Sequence, residues 1–331
     1  MESRSSSGSP ASAGYRPSAP TLSLVETRCA LCGADAGELE ASGPDFEYAT
    51  AANEFHFVRC RVCDHLYLNP RPASGDLGVI YPSDYYAFSG VKNPLVARLR
   101  RRWEGSKVRL YRELVGEGHK RILDVGCADG RFLGLLRDFG APGWEPVGID
   151  IDPEAVEQCR AQGFEAHLAR MEEFDAGAGG FDAVIMLQLI EHVDDPVRIC
   201  ERVFDLLKPG GHFIVETPNL AGLDYRGFRG RWWGHYHFPR HWNLFSTEAL
   251  HRMLTERGFE IVRTDALIST SAWTISLHNF FLDRGYPDWV VRFCSYQNPA
   301  LLAVFVAVDW LRARLGQPTS NQRVVARKPV P

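Results

Sequence analysis

"RILDVGCADGRFLGLLRDFG", residues 121 to 140, decides the fold. A short apolar run ends at Val125, a glycine-bearing turn follows, and a helical pattern with Phe132, Leu133, Leu135, Leu136 and Phe139 starts near Arg131. In a strand–turn–helix unit of this kind the glycines let backbone approach a ligand closely, and the helix N-terminus favours negative charge. Gly126, Ala128 and Gly130 read G-x-A-x-G. A dinucleotide fingerprint would be G-x-G-x-x-G, with a small residue where Arg131 stands, so the turn is not that of a pyrophosphate binder.

Working outward, apolar strands alternate with helical stretches: "EPVGIDI" from Glu145, "FDAVIML" from Phe181, "GHFIVETP" from Gly211 and "FEIVRTDAL" from Phe259. That alternation predicts an α/β domain over 119–331 with a doubly wound, mostly parallel sheet of seven strands. "QRVVARKP" from Gln322 supplies a last strand, and the aromatic stretch 271–315 before it reads as a helical insertion. Asp150 ends the second strand twenty residues beyond Gly130 (150 − 130), where a carboxylate can accept hydrogen bonds from both hydroxyls of a ribose. The competing role, capping the next helix, suits Asp152 better, since Pro153 follows it.

The chain has 331 residues, 45% of them hydrophobic and 24% charged, and a net charge of −4. Nothing in that balance draws it to nucleic acid, so a small-molecule partner is expected. Residues 1–23, rich in Ser, Pro, Gly and Ala, read as a disordered tail without the apolar stretch of a secretory signal. The most apolar run, "ALLAVFVAV" from Ala300, stops at Asp309, short of the ~20 residues of a membrane span. Eight cysteines without an export signal are expected as reduced thiols in a cytoplasmic protein.

Four of them are paired as "CALC" (Cys29, Cys32) and "CRVC" (Cys60, Cys63). Two C-x-x-C knuckles joined by a hairpin can bring four thiolates around a tetrahedral Zn²⁺, which predicts a structural zinc ribbon over 24–75. Four thiolates leave no position for water, so the metal is expected to be structural. Residues 76–118, with "YPSDYYAF" from Tyr81 and a basic helix from Asn93, form a helical linker or lid.

The chain resembles the class I S-adenosylmethionine-dependent methyltransferases in "ILDVGCADGRF", "VGIDI", "FDAVIMLQLIEHVDDP" and "LKPGGHFIVETPN", in that order over roughly residues 120 to 265. It is most similar to the branch related to ubiquinone-biosynthesis O-methyltransferases, a methyltransferase type 23 domain, in which a cysteine ribbon often precedes a stretch like "LYLNPRP", here Leu66 to Pro72. The resemblance implies a Rossmann-like fold and S-adenosylmethionine as cofactor. It places the methionine end over Asp124, Gly126, Ala128 and Gly130, the ribose on Asp150, and the adenine against Ile151, Met171 and Glu172. Gln188 and Leu189 fall beneath the methionine moiety, and Tyr86 or its neighbour Tyr85 would fold over the sulfonium end. Glu191 and His192 read as structural, because this chain has Gln188 where metal-binding relatives carry an acid.

One stretch fits no periodicity: "RGRWWGHYHFPRHWNLFS", residues 229 to 246. A metal site, an aromatic core plug and a pocket wall compete for it. Three histidines without a neighbouring acid or cysteine at fixed spacing make a poor metal site, and a plug needs no imidazoles. Because the segment follows the fifth strand, it should hang over the transferable methyl group as a pocket wall. A neutral imidazole suits removal of a hydroxyl proton. His241 comes first, since the family often shows a histidine shortly before "FS", and His237 and His235 follow. The expected reaction is methyl transfer to a hydroxyl of a sugar or secondary metabolite. C-methylation of a nucleotide-linked sugar and a non-catalytic cofactor-binding module are the alternatives. The insertion 271–315 reads either as a lid or as the interface of a homodimer.

Overall fold

The structure, a computed structural model, describes residues 19–81, 94–269, 271–295 and 298–331. Strands β1 (Leu24–Val25), β2 (Gly37–Gly43), β3 (Phe55–Cys60), β4 (Leu66–Leu68) and β5 (Arg71–Pro72) make the N-terminal ribbon, followed by helices α1 (Leu77–Ile80) and α2 (Pro94–Val115). The seven-stranded sheet is then laid down by β6 (Lys120–Val125), β7 (Trp144–Asp150), β8 (Glu165–Leu168), β9 (Phe181–Leu187), β10 (Leu207–Pro218), β12 (Glu260–Leu267) and β13 (Asn321–Arg327). Its order is β12-β13-β10-β9-β6-β7-β8. The strands from β6 to β10 pair in parallel, while β13 lies antiparallel to both of its neighbours.

The parallel strands read as continuous apolar runs because both faces are covered. Along β9 the side chains alternate: Val184 and Met186 enter one core with Leu123, Val125 and Phe213, while Ala183 and Ile185 enter the other with Ile122, Ile214 and Val325. Helices α3 (Arg131–Phe139), α4 (Pro153–Ala161), α5 (Pro196–Leu206) and α7 (Thr247–Thr255) follow strand ends or turns. The Asp152 carboxylate accepts from Glu154 N at the start of α4, with Pro153 in the first turn, as expected. Asp195 and Ser246 cap α5 and α7 in the same way.

Two boundaries differ from the sequence reading. The tail does not run to residue 23: Leu22 is buried, its N–H donates to Asn53 Oδ1 at 2.8 Å, and Ala52 N donates to Pro20 O at 3.0 Å. Nor is the ribbon a self-contained unit. Its sheet runs β11-β4-β3-β2, and β11 (Asn243–Leu244) comes from the histidine–tryptophan stretch. Phe55, Phe57, Leu66 and Leu68 of the ribbon share one core with Trp233, Tyr236, Phe238, Trp242 and Leu244. The insertion is helical as expected, forming α8 (Ala272–Asp283), α9 (Asp288–Phe293) and α10 (Pro299–Arg314) after the short α6 (Leu223–Phe228).

Candidate functional site

The turn after β6 is built from left-handed backbone. Gly126, Ala128 and Gly130 have φ of 77°, 45° and 79°, a region that L side chains avoid unless they are small and locally held. A Cβ at position 126 would stand 3.0 Å from the Leu189 side chain, and one at 130 would stand 3.0 Å from Cys159 Sγ. Gly126 N and Cys127 N donate to Ile149 O, which ties the turn to β7. The half-buried Asp150 completes the brace: one carboxylate oxygen accepts from Ala128 N at 2.9 Å and the other from Asp152 N at 3.0 Å. Asp124, at the end of β6, is 3% exposed. Burial, reinforced by the Asp150 charge, pushes its carboxyl up to about 7.

Adjacency of β6 to β7 and β9 gathers Asp124, Gly126, Ala128, Gly130, Asp150, Gln188 and Leu189 at one edge of the sheet, the carboxyl ends of its parallel strands. Gln188 is exposed with φ of 52°, its N–H held by Glu216 O. Ile151 is exposed just beyond Asp150. Met171 instead lies in the core beside Phe174, while Glu172 is half-buried, 3.7 Å from Arg170. Tyr85 and Tyr86 lie outside the described residues.

The histidine stretch is both packed and polar. Trp233, Tyr236, Phe238 and Trp242 are core residues, so the tryptophan-rich part is a plug. The imidazoles, however, collect at the end of β9. Ring centroids of His192 and His241 are 4.6 Å apart, those of His237 and His241 5.0 Å, and those of His235 and His241 6.4 Å. Backbone ties hold the stretch there: Trp242 N donates to Glu191 O at 2.7 Å, and Asn243 Nδ2 donates to Val193 O. His192 Nδ1 donates to Arg240 O and lies 2.9 Å from Tyr81 Oη, while His241 Nδ1 donates to His235 O at 2.8 Å. With Nδ1 carrying the proton, the lone pair of each neutral ring sits on Nε2.

Burial, then neighbouring imidazoles, depress these histidines: His192 and His235 fall to about 3, and His241 falls well below its usual range. Burial pushes the Glu191 carboxyl the other way, up to about 8. One of its oxygens accepts from Thr217 Oγ1 at 2.9 Å, and the other is buried without a partner among the described residues. Donor atoms of Glu191, His192 and His241 lie within 4.8 Å of one another.

Sequence reasoning missed what the ribbon contributes. Its β2–β3 hairpin supplies Asp45, whose oxygens accept from Arg240 at 3.0 and 2.9 Å with neither side chain exposed, and Glu47, whose Oε1 is 2.6 Å from His237 Nδ1. Burial alone would raise the Asp45 carboxyl, but Arg240 and the Thr50 hydrogen bonds outweigh it and hold it below the usual range. Tyr48 adds an edge contact to His237 and lies under the Arg240 guanidinium. These partners are 195 and 190 residues apart, and no local pattern signals them.

The four ribbon cysteines converge as their spacing implies. Cys29 and Cys63 Sγ are 3.4 Å apart, Cys32 and Cys60 Sγ 3.5 Å, and all four lie within 4.8 Å of one another. A tetrahedron of ~2.3 Å Zn–S bonds has edges of about 3.8 Å, so the cluster is compatible with a zinc ribbon. Each knuckle closes alike, Gly33 N onto Cys29 O and Asp64 N onto Cys60 O, with Gly33 and Asp64 both at positive φ.

In the insertion, α8 backs the histidine stretch: Gly234 N donates to Ser276 Oγ, and Asp283 accepts from Arg231 and Trp232. Trp273 stacks on Phe305 and donates to the buried Asp309, which anchors α10. Beyond that anchor Trp289, Phe293, Val304, Trp310 and Leu311 are exposed.

A family described as a methyltransferase domain matches residues 96–264. The ubiquinone biosynthesis O-methyltransferase of Xanthomonas oryzae pv. oryzae (strain PXO99A) is 32% identical over 165 residues, covering 46% of this chain and 66% of the relative. That of Aromatoleum aromaticum is 36% identical over 111 residues, 31% of this chain and 46% of the relative. The chain thus spans less than two thirds of the length of these curated relatives. Among solved structures, a SAM-dependent methyltransferase from Archaeoglobus fulgidus aligns at a TM-score of 0.45 and 20% identity, over 69% of this chain and 94% of that one, too remote a likeness to inform function. With the family match spanning half of the sequence and falling on the sheet and turn described above, the chain belongs to the methyltransferase family.

Proposed function

We propose that this protein transfers a methyl group from S-adenosylmethionine to a hydroxyl of a small molecule, a sugar or secondary metabolite. The observation that carries the reading is the left-handed turn at Gly126, Ala128 and Gly130, braced by Asp150 at the sheet edge beyond which a cluster of imidazoles gathers after β9. The turn's glycines admit the cofactor's amino-acid end, Asp150 holds its ribose, and Leu189 floors the site against Gly126. When bound, the cofactor supplies a methyl group already activated by the adjacent sulfonium charge. The chain's own task is then to align the acceptor and exclude water, positioning that is worth ~7–11 kcal/mol. An imidazole of the wall takes the acceptor's proton, in the role read for His241, His237 and His235.

The relatives named for O-methyl transfer support oxygen as the acceptor atom. C-methylation of a nucleotide-linked sugar is the alternative, and the position of the methyl group in the product separates the two. Cys29, Cys32, Cys60 and Cys63 would hold one structural Zn²⁺, supported by the sulfur spacing. The exposed apolar side chains of α9 and α10 support a homodimer through the insertion. Calorimetry with S-adenosylmethionine and S-adenosylhomocysteine tests the core of the reading. Micromolar binding that Asp150→Ala abolishes is the expected result, and no binding to the intact protein overturns it.

A further inference from the structure

Four imidazoles meet at the wall, but their partners differ in kind. His192 and His241 donate Nδ1–H to backbone carbonyls, and His235 Nε2 is enclosed without a partner among the described residues. His237 meets a carboxylate: Glu47 Oε1 lies 2.6 Å from its Nδ1, and both side chains are largely buried, at 4% and 13% exposure. A carboxylate can only accept, so this contact puts the His237 proton on Nδ1 and the lone pair on Nε2. The backbone at His237 is left-handed, with φ of 41° and ψ of 47°, and is held there by Arg240 N donating to His237 O at 2.7 Å. Strain of this sort in a non-glycine residue persists where its surroundings over-determine it, commonly at working sites. Asp45, two residues before Glu47, anchors the same hairpin through its buried pair with Arg240.

We propose that Glu47 and His237 form a carboxylate–imidazole dyad across the ribbon–methyltransferase junction, in which Glu47 is a positioning residue and His237 Nε2 takes the proton of the hydroxyl being methylated. The proposal rests on the methyl-transfer reading above and sharpens it. The hydroxyl O–H bond breaks toward His237 Nε2 while an oxygen lone pair forms the bond to the methyl carbon. The sulfur–methyl bond breaks with its electron pair left on sulfur. The products are the methyl ether, S-adenosylhomocysteine and an imidazolium whose charge Glu47 offsets. Burial keeps the other three rings neutral, and they lack a carboxylate at hydrogen-bond distance among the described residues, so a proton arriving on them would sit uncompensated. Among the described residues, the groups facing His237 include Glu47, Tyr48, His192, His235 and His241, with Arg240 behind Tyr48.

The decisive measurement needs no acceptor. Long-range proton–nitrogen correlation spectra of protein labelled in histidine with ¹⁵N report the tautomer of His237, assigned by its loss in His237→Gln. The proposal expects an Nδ1–H tautomer in the wild type that is lost or mixed in Glu47→Gln and kept in Glu47→Asp. An Nε2–H tautomer in the wild type, or no change in Glu47→Gln, overturns it. Methyl transfer from labelled S-adenosylmethionine to catechol and methyl glucoside, used as hydroxyl probes, gives the second readout. His237→Gln is expected to lower kcat about 10²- to 10⁴-fold with KM for S-adenosylmethionine unchanged. Glu47→Gln is expected to lower kcat without raising KM, and Glu47→Asp to restore part of it. Equal activity of His237→Gln and wild type overturns the base assignment. Thermal unfolding of each variant separates these outcomes from a hairpin that fails to fold. Loss of S-adenosylmethionine binding by the wild type would instead fail the parent reading and leave the tautomer result standing.

Discussion

The sheet edge proposed for the cofactor and the ribbon junction are built in opposite ways. At the edge the working contacts join residues close in sequence: Ala128 to Asp150 across 22 positions, Asp152 to Asp150 across two. At the junction Asp45 reaches Arg240, Glu47 reaches His237 and Glu40 reaches Tyr225 across 195, 190 and 185 positions. The edge's braces run from backbone N–H groups to the Asp150 carboxylate, whereas the junction's Asp45–Arg240 pair is ionic and buried. A site assembled from one supersecondary unit survives local accidents elsewhere, and one assembled from both ends of the chain depends on each of them. The wall should therefore fail under changes that leave cofactor binding intact.

Removing the zinc proposed for the ribbon cysteines should have the largest effect. Structural zinc contributes on the order of 10 kcal/mol to small domains, so chelation or Cys60→Ser should unfold residues 24–75 and release Glu47 and Asp45 from the wall. Methyl transfer should disappear while calorimetric binding of S-adenosylhomocysteine persists. Elemental analysis should give one zinc per chain, and a zinc-free reduced protein that still transfers methyl groups would break the comparison. Next comes Asp45→Ala, which leaves Arg240 buried without its counter-charge. Loss of one partner from such a pair costs about 3–5 kcal/mol, read by denaturant unfolding. A loss under about 1 kcal/mol would mean that the junction behaves as a surface contact.

Glu191 sharpens the contrast along the pH axis. Its carboxyl is raised in the folded state, so between about 4.5 and about 8 the native protein binds more protons than the unfolded chain, and its stability falls as pH rises. Glu191→Gln should remove this term, leaving the variant less pH-dependent than wild type by at most about 1.4 kcal/mol per pH unit in that window. Parallel curves would show that Glu191 stays charged. The smallest effect is expected at the edge. Gly126→Ala places a methyl group 3.0 Å from Leu189 on a backbone with φ of 77°, costing about 1–2 kcal/mol and weakening cofactor binding. A variant as stable as wild type with unchanged affinity would show that the turn can move.

What the sequence made legible follows the same division. The strand periodicity, the glycine-bearing turn, the Asp152 cap and the two cysteine knuckles all express themselves within about thirty residues, and each was readable. The wall was readable only as an oddity. His235, His237 and His241 stand out by composition, yet the groups that hold the stretch, Glu47 on His237, Asp45 on Arg240 and Tyr81 on His192, sit in segments whose local pattern says only hairpin or linker. Domain limits drawn from composition put the ribbon and the methyltransferase domain apart, because a two-residue strand such as β11 leaves no periodic trace. Met171, placed by resemblance against the adenine, packs in the core beside Phe174.

That two-residue strand also sets an order of events in the cell. β4 is complete at Leu68, but the strand that covers its open edge begins at Asn243, which is 175 residues later in synthesis (243 − 68). Until then the nascent ribbon presents unpaired backbone groups beside Phe55, Phe57, Leu66 and Leu68, the kind of edge that invites wrong pairing. At ~5–20 residues per second that exposure lasts on the order of ten seconds or more. A ribosome stalled within the sheet would thus carry a hairpin whose apolar face is waiting for its cover, and early closure of the cysteine knuckles around a metal would hold the hairpin in register through the delay.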